Sequence, residues 1–339
     1  MASNDTPPFS ISATILTLVA EISERVGKVT GAAEGVGSRR LRRINRVRTI
    51  YGTLAIEGNR LTEEQTTAIL DGKRVLAPPR EVQEVRNALL AYDRLHQWTP
   101  SKGLHLLDAH RVLMTGLVDH PGAYRSGDVR VMAGEAAVHM APPAHRVPVL
   151  MDDLLSWLGR STDHPLITSS VFHYELEFIH PFADGNGRMG RLWQTLLLSR
   201  WRPLFADLPI ADLVYANQGA YYQAIQDSTN QESATPFITF MLRMMQAALE
   251  EQESAGLTEQ VTEQVTEQVR RLLEAIGPDI CPAKNLMDRL GLTHRPNFLY
   301  DYLRPALDNR WVEMTDPAHP RSPRQRYRLT AAGQQVLSS

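Results

Sequence analysis

The sequence predicts a mainly α-helical protein: a helical bundle with one small β-hairpin, followed by a C-terminal α+β unit. Apolar residues recur at three- and four-residue spacing through most of the first 250 residues. Within that span a strand pattern stands out at Asp128–Met132 and Ala136–Met140, around Ala133-Gly134-Glu135. Past a polar, repetitive stretch near 250–268, short helical patterns give way to two strand-like segments.

Residues 10–28 read as a helix. Arg39 to Glu57 form a stronger one, in which Leu41, Ile44, Val47, Tyr51 and Leu54 share a face and Gly58-Asn59 supplies the stop. The other face carries six arginines in ten residues: Arg39, Arg40, Arg42, Arg43, Arg46 and Arg48. Such a face suits solvent or an acidic partner, with a nucleic-acid patch as the alternative. Helices follow at 62–71, opened by Thr62 before Glu63 and Glu64, at 80–98 after Pro78-Pro79, and at 103–117. The hairpin at 127–141 ends at Pro142-Pro143. Helical patterns resume at 147–159, 166–179, 186–200, 218–228 and 235–252. Thr-Glu-Gln-Val occurs three times over 258–269, so Val261, Val265 and Val269 lie on one drifting stripe of a helical linker. Helices are expected near 270–276, 283–290 and 296–309, then strands at 311–315 and 326–330. The expected organisation is a helical region at 1–110, a core at 111–250, a linker at 251–269 and a C-terminal domain at 270–339.

Bulk composition narrows the class. The 339 residues are 43% apolar and 22% charged, ordinary for a globular protein with a sizeable core. A net charge of −2 gives no global attraction to nucleic acid or membrane. Cys281, the one cysteine, cannot form an internal disulfide and reads as a small buried hydrophobe. The N-terminus lacks a signal-peptide pattern, and the apolar run Ile15–Ala20 is too short to span a bilayer. A cytoplasmic protein with no membrane partner is expected.

The chemistry concentrates at His180-Pro-Phe-Ala-Asp-Gly-Asn-Gly-Arg-Met-Gly-Arg191. Phe172, Leu176 and Ile179 give the incoming helix an apolar face, and Pro181 disfavours helical geometry at His180. Met189, Leu192, Trp193, Leu196 and Leu197 announce a second helix. A glycine-bearing loop therefore enters a helix N-terminus, where orphan N–H groups and the positive dipole end favour an anion. Gly185 and Gly187 admit close approach of a phosphate. Arg188 and Arg191, three apart, can fork onto phosphate oxygens. Asp184 is a hard oxygen ligand suited to Mg²⁺, Asn186 can donate to a phosphate or cap the helix, and His180 can accept a proton near neutral pH.

This segment resembles the motif of the Fic family. The resemblance implies transfer of AMP from ATP to a Ser, Thr or Tyr hydroxyl of a protein. His180 would be the general base and Asp184 the Mg²⁺ ligand. Gly185, Asn186 and Gly187 would cradle the α- and β-phosphates, while Arg188 and Arg191 hold the β/γ end. The hairpin, with Val138, His139 and Met140, is similar to the family's target-docking flap, which works by strand addition. Tyr221 and Tyr222 resemble the pair lining the adenosine pocket, and Asn230 is a further nucleoside candidate.

Thr53-Leu-Ala-Ile-Glu57-Gly58 resembles the family's inhibitory motif. Glu57 falls in the last turn of its helix, where the dipole disfavours a carboxylate by about 0.3–1 kcal/mol, so a compensating cation is expected. The resemblance names Arg191, which a γ-phosphate would also need. It further raises AMP removal as a second activity of Glu57. Self-modification and homo-oligomerisation are partner expectations of the same class.

Residues 270–339 resemble a winged-helix domain. Leu286–Thr293 make a helix and turn, 296–307 the would-be recognition helix, with a kink or stop expected at Pro305. Arg321, Arg324, Arg326 and Arg328 decorate the wing, and no acidic residue occurs over 317–339. The alternative function is therefore a DNA-binding regulator whose Fic-like part senses nucleotide. The intact base His180 favours the enzyme, since a sensor needs none.

Overall fold

The computed structural model describes residues 6–31, 39–133, 136–263, 267–292, 294–317, 322 and 325–338. The chain divides into two compact units, Met1–Glu253 and Ser254–Ser339.

The first unit begins with α1 (Ala13–Gly31), which buries Ile15, Leu18, Ile22 and Val26 on one stripe. In α2 (Arg39–Ala55) the buried stripe runs through Leu41, Val47, Ile50 and Leu54. Ile44, expected on that face, is 41% exposed; its neighbour Asn45 points inward instead and donates to Gln252 Oε1 at 2.7 Å. Three arginines of the basic face find carboxylates within the unit. Arg43 pairs with Asp71, Arg46 with Asp93 at 2.5 Å, and Arg48 with Asp212 and Glu251 at 2.7 and 2.9 Å. The side chains of Arg39 and Arg40 lie outside the described residues.

α3 (Glu63–Leu70) starts from a reciprocal capping box between Thr62 and Gln65. α4 (Pro79–Asp93) and α5 (Gly103–Met114) follow. Strands β1 (Arg130–Ala133) and β2 (Ala136–Met140) form an antiparallel hairpin whose register shifts between Val131 and Met132. Then come α6 (Val147–Arg160), α7 (Pro165–Ile179), α8 (Asn186–Trp201), α9 (Ile210–Ala216), α10 (Gln218–Asn230) and α11 (Thr235–Glu263). α9 was not expected: it is a short helix between Pro209 and Asn217, too brief to show a period. It packs on α2 where Gly52 removes the obstacle, since a Cβ there would stand 2.5 Å from Asp212 Cα.

One apolar core joins these elements, from Ile15 through Leu54 and Leu192 to Leu249. The expected regions 1–110 and 111–250 therefore share a core. At its centre α7 and α8 pack through Phe172, Leu176, Met189, Leu192 and Trp193, all fully buried. Gly190 permits this, because a Cβ there would collide with the His173 ring.

The second unit holds α12 (Glu267–Ile276), β3 (Cys281–Pro282), α13 (Ala283–Arg289) and α14 (Arg295–Asn297). α14 runs through a π-helical stretch, 298–303, into α15 (Arg304–Asp308). That widened stretch precedes Pro305, so the ring ends no helix: it sits in the first turn of α15, where a missing N–H matters least. β4 (Val312–Met314), β5 (Arg326–Leu329) and α16 (Ala331–Ser338) complete the unit, with antiparallel sheet order β3-β5-β4. β3 and α16 were not expected. Its core includes Val269, Leu272, Phe298, Trp311, Tyr327 and buried Cys281. Arg328 pairs with Glu313 at 2.5 Å. Arg321 and Arg324 lie outside the described residues, as do Gln264–Thr266 of the repeat. Among the described residues no helix is long and apolar enough to cross a membrane.

Candidate active site

Pro181 forces the end of α7. His180 takes a left-handed conformation, φ 50°, and its N–H still donates to Leu176 O at 2.9 Å. Arg125, 6% exposed, fixes this corner. Its guanidinium donates to the carbonyls of His180 at 2.7 Å, Gly127 at 2.8 Å and Pro142 at 2.5 Å. The end of α7 and the two stems of the hairpin are thereby tied to one side chain.

The loop 181–185 is held from inside. Asn186 is 2% exposed; its Oδ1 accepts from Phe182 N–H and its Nδ2 donates to Phe182 O, both at 2.9 Å. These two bonds fold the loop backbone back over the start of α8, with Asn186 at the cavity wall. His110 stacks on Phe182 with ring centroids 3.7 Å apart. Gly122 N–H donates to His110 Nδ1 at 2.8 Å, leaving Nε2 to donate to Asp184 O at 3.0 Å. Burial pushes the His110 imidazole down to about 4, so it acts as a neutral prop. Gly185, φ 89°, has no room for a Cβ against Met114.

Asp184 and Arg188 form an ion pair, Arg188 Nη2 to Asp184 Oδ1 at 2.7 Å, with Arg80 3.4 Å from Oδ2. Arg188 is 4% exposed, has Glu84 at 3.7 Å, and does not line the cavity. Its guanidinium thus faces two carboxylates, Asp184 of the loop and Glu84 of α4.

A cavity of about 160 Å³ opens at the loop. It is lined by His180, Asp184, Gly185, Asn186, Gly187 and Arg191, and also by Glu57, Glu177, Tyr221 and Tyr222. Arg191 is 3% exposed. Its Nε donates to Thr53 Oγ1 at 2.9 Å, and its Nη2 to Thr53 O at 3.0 Å and Glu57 Oε1 at 2.5 Å. Burial alone would push the guanidinium down; Glu57, Tyr221 and Glu177 together outweigh it and raise the group. Glu57 reaches Arg191 from a tight helix end. Asn59 N–H donates to Leu54 O and Gly58 N–H to Ala55 O, with Gly58 at φ 86°.

Glu177 escaped the sequence reading. Burial, then the nearby Glu57 carboxylate, push it up to about 7. Tyr221 is 2% exposed, with its hydroxyl 3.2 Å from His173 Nε2 and 3.4 Å from Glu177 Oε1. Tyr222 is half-buried, its hydroxyl donating to Ile56 O at 3.4 Å. Asn230 is exposed at the end of α10, bonded to Gln226 at 3.0 Å, and does not line the cavity. Of Val138, His139 and Met140 the backbone alone is described: His139 and Met140 pair with Val131 and Arg130, and Val138 stands at the register shift.

A metal site can be tested on the donors present. Among the described residues no group of three or more His, Cys, Asp or Glu could hold an ion. Asp184, with its side chain 38% exposed at the cavity, fits a Mg²⁺ that keeps waters and phosphate oxygens as its other ligands.

Comparison with known proteins adds three findings. Residues 100–198 match the Fic/DOC family, and residues 267–330 the family described as "Filamentation induced by cAMP protein Fic-like, C-terminal domain". The crystal structure of a Fic family protein from Desulfovibrio desulfuricans G20 is 52% identical, covering 96% of this chain and 99% of that one, with a TM-score of 0.76. Fic-1 from C. elegans, 22% identical with a TM-score of 0.60 over 72% of this chain and 73% of that one, shares the fold. Curated relatives called Protein adenylyltransferase Fic include those of Nematostella vectensis, 29% identical over 59% of this chain, and Aedes aegypti, 26% over 60%. The chain spans 47% and 41% of their lengths.

Proposed function

The chain belongs to the Fic family, and on that premise we propose that it is a protein adenylyltransferase, moving AMP from ATP to a hydroxyl of a protein. The observation that carries this is the single cavity in which His180, Asp184, the Gly185-Asn186-Gly187 helix entrance and Arg191 meet.

The triphosphate lies against the bare faces of Gly185 and Gly187 and the N-terminus of α8, with Arg191 at its far end. His180 takes the proton of the incoming hydroxyl as its oxygen attacks the α-phosphorus. The bond from that phosphorus to the bridging oxygen breaks, and pyrophosphate leaves. Mg²⁺, held by Asp184 and phosphate oxygens, would supply charge neutralisation along the triphosphate. Asn186, His110 and Arg125 touch no reacting atom; they hold loop and base in place.

The Glu57–Arg191 pair is read as a brake. While Arg191 is bound to Glu57 it is withheld from the γ-phosphate, and 160 Å³ falls below the roughly 300–1,000 Å³ of small-molecule sites. Because Glu57 shares the cavity with His180, the same carboxylate can orient water for AMP removal, as a second activity. Strand order β3-β5-β4 with three preceding helical segments supports a winged-helix reading of the second unit.

The test is intact-mass analysis after incubation with ATP, Mg²⁺ and a cell lysate. Glu57→Gly is expected to add AMP to an acceptor, the chain itself included, and Glu57→Gly/His180→Ala to lose at least about 100-fold of that rate. Equal labelling by the two variants would overturn the mechanism. For AMP removal, a modified acceptor returned to wild type should lose AMP, and with Glu57→Gly should keep it.

A further inference from the structure

The reaction above leaves one buried carboxylate of its cavity unused. Glu177 lies on α7, 6% exposed, three residues before His180. On its own helix it faces His173, with Nε2 3.9 Å from Oε1, and His180, with Nδ1 4.0 Å from Oε2. From α10 it faces the Tyr221 hydroxyl at 3.4 Å, with Tyr222 beside it. Arg191 of α8 and Glu57 beyond α2 complete its charged surroundings. Gly187 marks where these groups meet. From the point a Cβ would occupy there, Arg191 Nη1 is 3.0 Å away and Glu177 Oε1 3.3 Å, with Glu57 Oε1 closer still. Two carboxylates, Glu57 bonded to Arg191 and Glu177 nearby, stand with one guanidinium on the glycine face that a phosphate would approach.

Hydrogen-bond capacity separates the two protonation states of Glu177. Gln194 donates through Nε2 to Ser170 Oγ at 3.4 Å, so its Oε1, 2.9 Å from His173 Nδ1, accepts a proton from that ring. Burial keeps His173 neutral, pushed down to about 3, which makes Nε2 an acceptor. The Tyr221 hydroxyl then has one proton for two acceptors, His173 Nε2 at 3.2 Å and Glu177 Oε1 at 3.4 Å. An ionised Glu177 leaves one of them without a donor; a protonated Glu177 supplies the second proton and satisfies both.

We propose, building on the nucleotide reading above, that Glu177 couples nucleotide loading to proton uptake. Ionised, it places a second negative charge beside Arg191 and opposes the triphosphate. Protonated, it leaves Arg191 and the Gly187 face to the phosphates and closes the Gln194–His173–Tyr221 chain. Triphosphate binding at neutral pH therefore takes a proton from solvent onto the Glu177 carboxylate.

The test is calorimetric titration of Glu57→Gly with an ATP analogue carrying a methylene between the α- and β-phosphorus, in Mg²⁺ and in buffers of different ionisation heat. Glu57→Gly/Glu177→Gln is titrated alongside, so that the analogue's own proton change cancels. Glu57→Gly lacks the carboxylate that helps to raise Glu177, so its Glu177 is at least half ionised at pH 7 and should take up at least about half a proton per site more than the double variant. Its Kd should weaken at least roughly tenfold from pH 6 to pH 8, and that of the double variant should stay level. Binding with equal proton uptake in both variants overturns the role of Glu177 alone. Binding by neither overturns the nucleotide reading and this proposal with it. Should the double variant not fold, a level Kd from pH 6 to 8 in Glu57→Gly by itself is the overturning result.

Discussion

Replacing Glu57 by glycine frees Arg191 without removing its anchor. The guanidinium is 3% exposed, the Glu57 side chain 28%, and their contact is 2.5 Å. A charge-assisted hydrogen bond in such a setting contributes about 1.5–3 kcal/mol. At about 1.4 kcal/mol per decade, that leaves Arg191 open to a phosphate in ~1–10% of wild-type molecules. Thr53 keeps its bonds to Arg191 at 2.9 and 3.0 Å, so the freed guanidinium stays aimed at the cavity. Transfer by Glu57→Gly should then exceed wild type by about 10- to 150-fold at ATP well below its Kd, where the open fraction sets the rate. Initial rates from ATP labelled at the α-phosphate measure it. Glu57→Gln, which keeps an acceptor oxygen but no charge, should fall between. A gain below about threefold, under about 1 kcal/mol, in a variant that unfolds at the wild-type temperature refutes competition for Arg191 as the source of inhibition.

Other perturbations follow from the same geometry. Asn186→Ala strips the buried Phe182 N–H and C=O of their partners, so calorimetry should show a loss of ~2–4 kcal/mol, and Asn186→Asp should restore part of it. Gly190→Ala drives a Cβ into the His173 ring, costing about 1–3 kcal/mol, at about 2–4 °C in Tm per kcal/mol; an unchanged Tm would mean that α7 and α8 are free to separate. Acid stability should show two regimes. His110 and His173, held at about 4 and about 3 against 6.5, take up protons first in the unfolded chain, so they lower stability as pH falls below 6.5. Glu175 and Glu177, raised to about 7 from 4.5, add stability that is full below 4.5 and lost as pH rises through 7. The pairs oppose between 4.5 and 6.5, so a denaturant midpoint should stay nearly level there. Below that it should drop by ~1.4 kcal/mol per pH unit for each histidine, until about pH 4 for His110 and about pH 3 for His173; a steady fall from pH 6.5 would contradict the carboxylate contribution.

The site was legible where its residues are contiguous or carry a pattern. His180 to Arg191 fall within twelve residues, so spacing placed them at a helix entrance, and Thr53 to Glu57 are close in sequence before Gly58-Asn59, where the family resemblance marked them. Arg125, His110 and Glu177 were not legible. Arg125 acts on carbonyls up to 55 residues away, and His110 on a carbonyl 74 residues away, links that no local period announces. Residue type alone did not show the protein partners of Asn186 and Arg188, a loop backbone and a pair of carboxylates. The basic face of α2 is a related case: the sequence shows six cations, while the counter-charges of Arg43, Arg46 and Arg48 at Asp71, Asp93, Asp212 and Glu251 arrive only on folding.

The helix end that carries Glu57 sets how fast this protein can respond. Glu57 lies past the last full turn of α2, on a turn closed by its own backbone bonds, and its carboxylate is partly solvated. Releasing Arg191 needs a side-chain rotation, with no melting of α2 and no parting of α2 from α8. Rotamer exchange of partly exposed side chains runs in picoseconds to nanoseconds, far faster than domain movement. If this pair is the proposed brake, basal output is a standing fraction re-sampled many times within each turnover, and an effector need only bias that fraction. On that reading the chain would act as a dimmer, graded by whatever competes for one guanidinium.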